Sequence, residues 1–257
     1  MTNHICKDSQ NLPLINKDQG EFENYLDSTT TLNPQHKANM IELLKKSIGM
    51  LLKNGSLIGT GFVIWVSSMP KFPSTAKIAG ILLTAAHIQY NVFDKKSNDK
   101  YDFSLAPSLN EVALYKKYQL EGPLPYSPLE QTVDYDPINH FSHIAPEDCA
   151  LFLINDDGQP LNNLLGADLV SLTMLPPEKL PQLKGQPIVE IGYSSDIDFS
   201  LSVLTKQPTQ LEVNSCKQWK SKIRSYSIGT FIDNNQNLAA VRLSNWSGMS
   251  GELRFAG

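Results

Sequence analysis

Cysteine, long apolar runs and an excess of basic residues are the features that this 257-residue chain lacks or has little of. The chain has 3 cysteines, Cys6, Cys149 and Cys216, and an odd number at such wide spacing disfavours a disulfide framework and favours a reducing compartment. No apolar run approaches the roughly 18 residues that a membrane-spanning helix needs, so we expect no membrane span. The 22 Lys and Arg against 26 Asp and Glu disfavour nucleic acid as a partner, because nucleic-acid binding favours a basic surface.

The N-terminus also lacks the basic segment and the following apolar segment of a secretory signal peptide. We therefore expect a cytoplasmic location, while export by a dedicated secretion system stays open. What the chain does have is an ordinary globular composition, with 41% hydrophobic and 19% charged residues. Its length corresponds to between one and two domains.

A short helix is predicted behind a polar N-terminal arm. Residues 1–32 are polar without a clean hydrophobic period, and we interpret them as a tail or a loosely docked arm. The pair Asn33-Pro34 is typical of a helix start, with the asparagine as cap and the proline at the first helical position. The sequence therefore predicts a first region, residues 1–46, that consists of this arm and the helix.

Beyond residue 46 the chain changes to short apolar runs separated by Gly, Asn and Pro, which is typical of β-strands. The dipeptide Asn54-Gly55 between two such runs predicts a hairpin turn. The stretches 94–110 and 119–147 are predicted to be an exposed loop and a long excursion. The predicted strands are 48–52, 58–66, 78–83, 112–115, 150–154, 187–192, 199–204, 210–213, 223–232 and 238–243.

Three short motifs contain the residue types of nucleophilic catalysis, in the chain order His, Asp, Ser. Thr84-Ala85-Ala86-His87 follows a predicted strand, Asp148-Cys149-Ala150-Leu151 leads into one, and Gly248-Met249-Ser250-Gly251 follows another. A serine hydroxyl is a poor nucleophile until a base such as an imidazole removes its proton, and a carboxylate then orients that imidazole. The three motifs therefore contain the residue types that such chemistry requires.

These motifs resemble those of the trypsin-like serine proteases of the chymotrypsin fold, and more loosely those of HtrA-like and bacterial cytosolic relatives. The family's T-A-A-H, D-x-A-L and G-x-S-G boxes match the three motifs, and Gly59-Thr60-Gly61-Phe62 matches the strand before the histidine box. The resemblance implies an all-β fold of two six-stranded β-barrels behind the short helix. Residues 47–156 would form the first barrel, with the histidine and the aspartate, residues 157–185 a linker, and residues 186–257 the second barrel, with the serine.

The resemblance also implies a role for each site residue in a serine endopeptidase that hydrolyses protein or peptide substrates. Ser250 would be the nucleophile, His87 the general base and acid, and Asp148 the orienting carboxylate. The backbone N–H groups of Gly248 and Ser250 would form the oxyanion hole. Ser244 would lie at the floor of the specificity pocket, which favours an apolar or small residue at the cleaved bond.

No metal and no organic cofactor is expected, because triad chemistry requires neither. His140 and His143 lie near Glu147 in the sequence and raise the alternative of a metal site. Nothing in the surrounding sequence places both imidazoles on one helix face, and two histidines alone rarely form such a site.

The sequence departs from the family pattern in two places. Glu252 stands where the family has a second glycine, and the sequence ends at Gly257, before the two strands and the C-terminal helix that complete the family's second barrel. We therefore expect an incomplete second barrel with an open edge, which natural sheets normally cover. The missing part would come from a longer chain or from a partner chain. Alternatively, the protein is a catalytically inactive relative that acts as a binding or scaffolding protein.

Overall fold

The computed structural model describes residues 17–18, 20, 23–24, 34–66, 78–85, 99–122, 150–155, 164, 166, 177–194, 221–235, 238–242 and 253–256. Within these residues, helix α1 spans Pro34–Ser47, and Leu109–Leu114 and Pro177–Leu183 form two 3₁₀ segments. The strands are β1 (Lys17–Asp18), β2 (Ile48–Lys53), β3 (Ser56–Val66), β4 (Ile78–Thr84), β5 (Tyr101–Ser104), β6 (Lys117–Glu121), β7 (Ala150–Asn155), β8 (Pro187–Tyr193), β9 (Arg224–Asn235), β10 (Leu238–Arg242) and β11 (Leu253–Ala256).

Helix α1 begins at Pro34, as the sequence predicts. Proline suits the first helical position because its ring fixes φ near the helical value and its missing N–H would have no intrahelical partner there. Lys45 and Lys46 lie in the last turn, where positive charge is stabilised by the helix dipole. Leu43 and Leu44 are buried, so the end of the helix packs firmly on the strands that follow.

Strands β2 and β3 form the predicted hairpin. Asn54 and Gly55 have φ values of 50° and 84°, and two successive positive φ values are the signature of the turn that matches the natural twist of paired strands. The Asn54 side chain also fixes a neighbouring segment, because its Oδ1 accepts a hydrogen bond from the Lys100 N–H at 3.0 Å and its Nδ2 donates to Asp99 Oδ1 at 2.9 Å. This hairpin prediction is confirmed.

Among the described strands, β2-β3-β4-β7-β6-β5 close into a six-stranded barrel, and every neighbouring pair is antiparallel. Its interior holds a group of buried side chains that we call the barrel cluster. The members are Leu51, Val63, Val66, Ala79, Leu82, Ala85, Phe103, Leu105, Tyr118, Leu120, Phe152, Ile154 and Leu164. The predicted all-β fold with a first barrel of six strands behind a short helix is confirmed.

Strand β2 buries both of its faces, which explains its continuous apolar sequence. Successive side chains of a strand point to opposite faces, so Leu51 contributes to the barrel cluster whereas Met50 and Leu52 contribute to a second cluster outside the barrel. This second cluster lies between the barrel and strands β8 and β9, and we call it the interface cluster. Its members are Leu44, Ile48, Met50, Leu52, Phe62, Ala106, Val112, Ile191, Tyr193 and Tyr226.

The remaining described strands form a second antiparallel sheet of five strands, in the order β1-β9-β8-β11 with β10 also paired to β9. The long strand β9 has β8 on one edge, and β1 and β10 on the other. Strand β11 pairs with β8, with Leu253 opposite Ile191. The sequence predicts no strand after residue 243, so β11 was missed, and it covers an edge of β8.

Three local predictions in the barrel region are wrong. Residues 112–115 are not a strand, because Leu109–Leu114 form a 3₁₀ helix that begins after Ser108, whose Oγ donates to Glu111 Oε1 at 2.6 Å. The exposed loop predicted at 94–110 is wrong over its described part, residues 99–110, because that part contains β5, in which Phe103 is fully buried. The excursion predicted from residue 119 overlaps β6, which follows the alternation of exposed and buried residues expected for a barrel strand.

The arm and the linker contain more structure than the sequence predicts. Lys17 and Asp18 pair with Tyr226 and Ser225 of β9, so this part of the arm is docked on the second sheet. Pro177–Leu183 form a 3₁₀ helix inside the predicted linker. The strands predicted at 199–204 and 210–213 lie outside the described residues, and the division of the chain at residues 47, 157 and 186 stays a prediction.

Candidate active site

The predicted site residues lie outside the part of the chain that the structure describes. This holds for His87, Asp148, Ser250, Gly248 and Ser244, so their mutual geometry stays a prediction. The structure does describe the strands that flank three of them in the sequence. We therefore build the candidate site from those strands and from the contacts between them.

The ends of two barrel strands that flank the predicted histidine and aspartate lie side by side. Strand β4 ends at Thr84, three residues before His87, and β7 begins at Ala150, two residues after Asp148. Thr84 and Ala150 are register partners in the antiparallel β4–β7 pair. The chain therefore leaves β4 and enters β7 at the same end of the barrel.

Thr60, in the middle of β3, connects this end of the barrel to the second sheet through its carbonyl oxygen and its hydroxyl group. Its carbonyl oxygen accepts a hydrogen bond from Thr84 Oγ1 at 2.7 Å. Its own Oγ1 accepts one from the Tyr193 N–H at 2.9 Å. All three residues are buried, so these bonds form away from water and fix the end of β8 against the barrel.

The segment after the predicted serine is attached to the same strand. Leu253, three residues after Ser250, is the register partner of Ile191 in the β8–β11 pair. Ile191 precedes Tyr193 by two residues on β8. Two strand pairs and two buried hydrogen bonds thus connect the described ends of the three segments that contain the predicted triad residues.

A buried arginine that the sequence analysis did not single out supports the other end of Tyr193. The Tyr193 hydroxyl donates to the Ala106 carbonyl at 2.9 Å and accepts a hydrogen bond from Arg224 Nε at 2.9 Å. Arg224 Nη2 donates to the Leu105 carbonyl at 2.8 Å and to the Ile48 carbonyl at 3.3 Å. A longer contact of 3.5 Å joins the same Nη2 to the Lys45 carbonyl in the last turn of α1.

The buried position of the tyrosine favours its neutral form. Burial raises the pKa of the Tyr193 hydroxyl above its usual value, and the nearby Arg224 charge and its hydrogen bond only partly oppose this effect. Arg224 itself is 4% exposed. A buried arginine that binds backbone carbonyls has no local sequence signature, because its partners lie 119 to 179 residues away along the chain.

The described residues contain neither a cluster of metal ligands nor a helix that could span a membrane. No group of three or more His, Cys, Asp or Glu side chains among them lies close enough to hold a metal ion. No helix in the described part of the chain is long and apolar enough to cross a membrane.

Comparisons with known proteins find a likeness in structure but none in sequence. No protein-family model matches the chain, and no curated protein matches it. Among solved structures, the chain is similar to neuropsin, a serine protease expressed in the limbic system of mouse brain, with 15% identity and a TM-score of 0.49 over 82% of this chain and 78% of that one.

Two structures of HBP are also similar to this chain. A mutant of human heparin binding protein (CAP37) matches with 15% identity and a TM-score of 0.41, over 82% of this chain and 75% of that one. An atomic-resolution structure of HBP matches with 10% identity and a TM-score of 0.43, over 84% of this chain and 76% of that one. At such identities the likeness concerns the fold alone.

Proposed function

We propose that this protein is a serine endopeptidase that hydrolyses peptide bonds through Ser250, His87 and Asp148. In this mechanism His87 removes the proton of the Ser250 hydroxyl as the oxygen attacks the carbonyl carbon of the cleaved bond, and later donates it to the leaving amine. Asp148 orients the imidazole and stabilises its charged form. The N–H groups of Gly248 and Ser250 stabilise the oxyanion, a contribution worth about 10²–10³ in kcat per donor where it has been measured.

The observation that carries the proposal is the connection through Thr60. A chain spans at most about 3.6 Å per residue, so a gap of three residues covers at most about 11 Å. The three triad positions are separated by two or three residues from Thr84, Ala150 and Leu253, which belong to strands joined through Thr60 and Tyr193. A triad formed from three distant parts of the sequence requires such a connection between the elements that carry its members.

The substrate and the location belong to the same proposal. We expect a protein or peptide substrate with an apolar or small residue at the cleaved bond, because Ser244 would place no charge at the floor of the specificity pocket. A cytoplasmic location is supported by the few, widely spaced cysteines. A partner chain or a further segment of this chain that completes the second barrel is also part of the proposal.

A fluorophosphonate probe tests the catalytic centre without knowledge of the substrate, because it requires only an activated serine and an oxyanion hole. We expect one adduct in the intact mass of the native protein. Ser250→Ala should abolish the adduct, and Ser247→Ala, which removes a hydroxyl three residues earlier, should keep it. His87→Ala should slow the labelling by about 10³-fold or more, because the serine then has no base.

Two results would contradict the proposal. One is an adduct that persists in Ser250→Ala, since the reactive serine would then lie elsewhere. The other is a protein that is folded by circular dichroism and takes up no probe. This second result would favour the alternative in which the chain is a catalytically inactive binding or scaffolding protein. In the sequence, this alternative is favoured by Glu252, which stands where the family has a second glycine.

A further inference from the structure

Thr60 lies close to the ends of two ladders of backbone hydrogen bonds. Within the described residues, the β3–β4 ladder ends at the pair of Phe62 and Leu83, two residues after Thr60 on β3. The β8–β11 ladder of the second sheet ends, within the same residues, at the pair of Ile191 and Leu253. The chain therefore leaves the first ladder shortly before the proposed histidine and enters the second shortly after the proposed serine.

The carbonyl of Thr60 continues the contact between β3 and β4 beyond the end of their ladder. Thr84, the residue after Leu83, donates a hydrogen bond from its Oγ1 to this carbonyl at 2.7 Å. Both threonines are buried, so the bond forms away from water. A side-chain hydroxyl thus fixes the last residue of β4, three residues before His87, against β3.

The hydroxyl of Thr60 makes the corresponding contact with the second sheet. Its Oγ1 accepts a hydrogen bond from the Tyr193 N–H at 2.9 Å. Tyr193 is the last residue of β8 and follows Ile191, the register partner of Leu253, by two residues. The hydroxyl therefore fixes the end of the strand to which the segment after Ser250 is attached.

Thr60 has little freedom to shift, because the neighbouring strands pack closely around it. Its register partner on β2 is Met50, which is fully buried. The next residue along β3 is Gly61, where an added Cβ atom would lie 2.8 Å from Cδ1 of Leu82 on β4, so these strands approach more closely than a side chain would allow. Groups on such a rigid element position their partners more precisely than groups on a loop do.

We infer that Thr60 is a positioning residue for the proposed reaction, because its carbonyl and its hydroxyl together set the distance between the segments of His87 and Ser250. This inference rests on the proposed function, and Thr60 acts in it through Thr84 and Tyr193. Proton transfer requires the serine hydroxyl and the imidazole to lie within hydrogen-bond distance. A misplacement of about 1 Å can lower the rate of such a step by about 10²-fold.

The rate constant of fluorophosphonate labelling at saturating probe tests this role on the full-length protein. Thr60→Val keeps the branched shape and the carbonyl but removes the acceptor of the Tyr193 N–H. We expect the rate constant to fall by about tenfold or more, while the probe concentration at half-maximal rate changes by less than about twofold. Thr60→Ser keeps the hydroxyl, so its rate constant should stay within about threefold of the native value.

Two further variants separate positioning from stability, with folding checked by circular dichroism. Thr84→Val removes the donor to the Thr60 carbonyl and should also lower the rate constant by about tenfold, so the test does not depend on one variant. Ile154→Val removes a methylene group from a fully buried side chain at the opposite end of β7 and destabilises the barrel there. It should change the rate constant by less than about twofold, because both hydrogen bonds of Thr60 lie elsewhere.

Failure of this inference is distinguishable from failure of the proposed function. No labelling of the native protein would overturn the proposed function and this inference with it. A native protein that is labelled, and that Thr60→Val and Thr84→Val label as fast, would overturn the inference alone. So would a Thr60→Ser variant as slow as Thr60→Val, since the hydroxyl would not be the cause. An equal loss of rate in Ile154→Val would also overturn it, since lost stability would then explain the effect.

Discussion

The interior of the barrel and the contact between the barrel and the second sheet are stabilised in different ways. The barrel cluster consists almost entirely of apolar side chains, such as Phe103 and Phe152, that fill the space within a closed set of strands. The interface cluster contains apolar residues as well, but buried hydrogen bonds of Thr60, Tyr193 and Arg224 lie around it. The stability of the barrel interior depends on how well side-chain volume fills it. The stability of the contact with the second sheet depends also on matched hydrogen-bond donors and acceptors.

The difference follows from where backbone polar groups find their partners. In a closed barrel each strand pairs with two neighbours, so ladder bonds satisfy the backbone and the interior needs only apolar volume. Where the second sheet meets the barrel, the end of α1 and the segment after β5 present carbonyls of Lys45, Leu105 and Ala106 that face side chains instead. Arg224 and Tyr193 are the side chains that reach them.

The largest effect is expected in the barrel interior. Phe152→Ala removes a fully buried ring that contacts Tyr101 at a centroid distance of 5.5 Å, and it should lower the free energy of unfolding by about 3–5 kcal/mol. Phe152→Leu should recover most of this loss, because the interior responds to volume. Urea unfolding measures both, with Leu114→Ala as a control at a side chain that is 83% exposed, where the change should stay below about 0.5 kcal/mol.

A smaller but still large effect is expected at the interface. Arg224→Met keeps much of the side-chain volume but leaves buried carbonyls and the Tyr193 hydroxyl without their donor, which should cost about 2–4 kcal/mol. Arg224→Lys keeps the charge yet cannot reach the same set of acceptors, so it should recover little. Urea unfolding measures both variants. If the lysine variant were as stable as the native protein, the positive charge alone would account for the contribution of Arg224, and the proposed role of matched hydrogen bonds at the interface would be wrong.

Most of the first barrel was predictable because its signals are local. The Asn54-Gly55 turn, the helix start at Pro34 and the apolar runs of β2, β3, β4 and β7 each lie within a short window of sequence. Strands β5 and β6 were missed although β6 alternates clearly, because five residues give a weak pattern among polar neighbours. The β-propensity of Val112 and Tyr115 favours a strand at this position. The spacing of Ser108 and Glu111, by contrast, is typical of a helix start, and their side chains form a hydrogen bond in the structure.

The site is less predictable than the fold, for a physical reason that Thr60 and Tyr193 illustrate. The motifs around His87, Asp148 and Ser250 identify residue types and their order, but their geometry stays a prediction. The contacts that join the flanking strands depend on pairs such as Thr60 with Tyr193, which are 133 residues apart. Nothing within a local window indicates such a pair, so the polar interface emerges only once both sheets have formed.

Alkaline pH should affect the interface more than the barrel, and this is the smallest of the expected effects. Burial raises the pKa of Tyr193 and also that of Tyr226, with Arg224 opposing the rise in both. In the unfolded chain a tyrosine loses its proton near pH 10, whereas these two keep theirs in the folded protein. Unfolding then releases protons, so their stabilising contribution is complete below about pH 10 and is lost as the pH rises towards the folded pKa values.

The slope of stability against pH therefore distinguishes the two regions. Each interface tyrosine should lower the free energy of unfolding by at most about 1.4 kcal/mol per pH unit above pH 10. Tyr193→Phe or Tyr226→Phe should remove the contribution of one tyrosine to this slope. Tyr101→Phe in the barrel should change the slope less, because that tyrosine is only partly buried and Lys53 opposes the rise of its pKa. Urea unfolding between about pH 9 and pH 11 measures the slopes. Equal slopes for Tyr193→Phe and the native protein would contradict this prediction. They would mean that Tyr193 ionises equally in the folded and the unfolded protein, because only a difference in ionisation between the two states affects the slope.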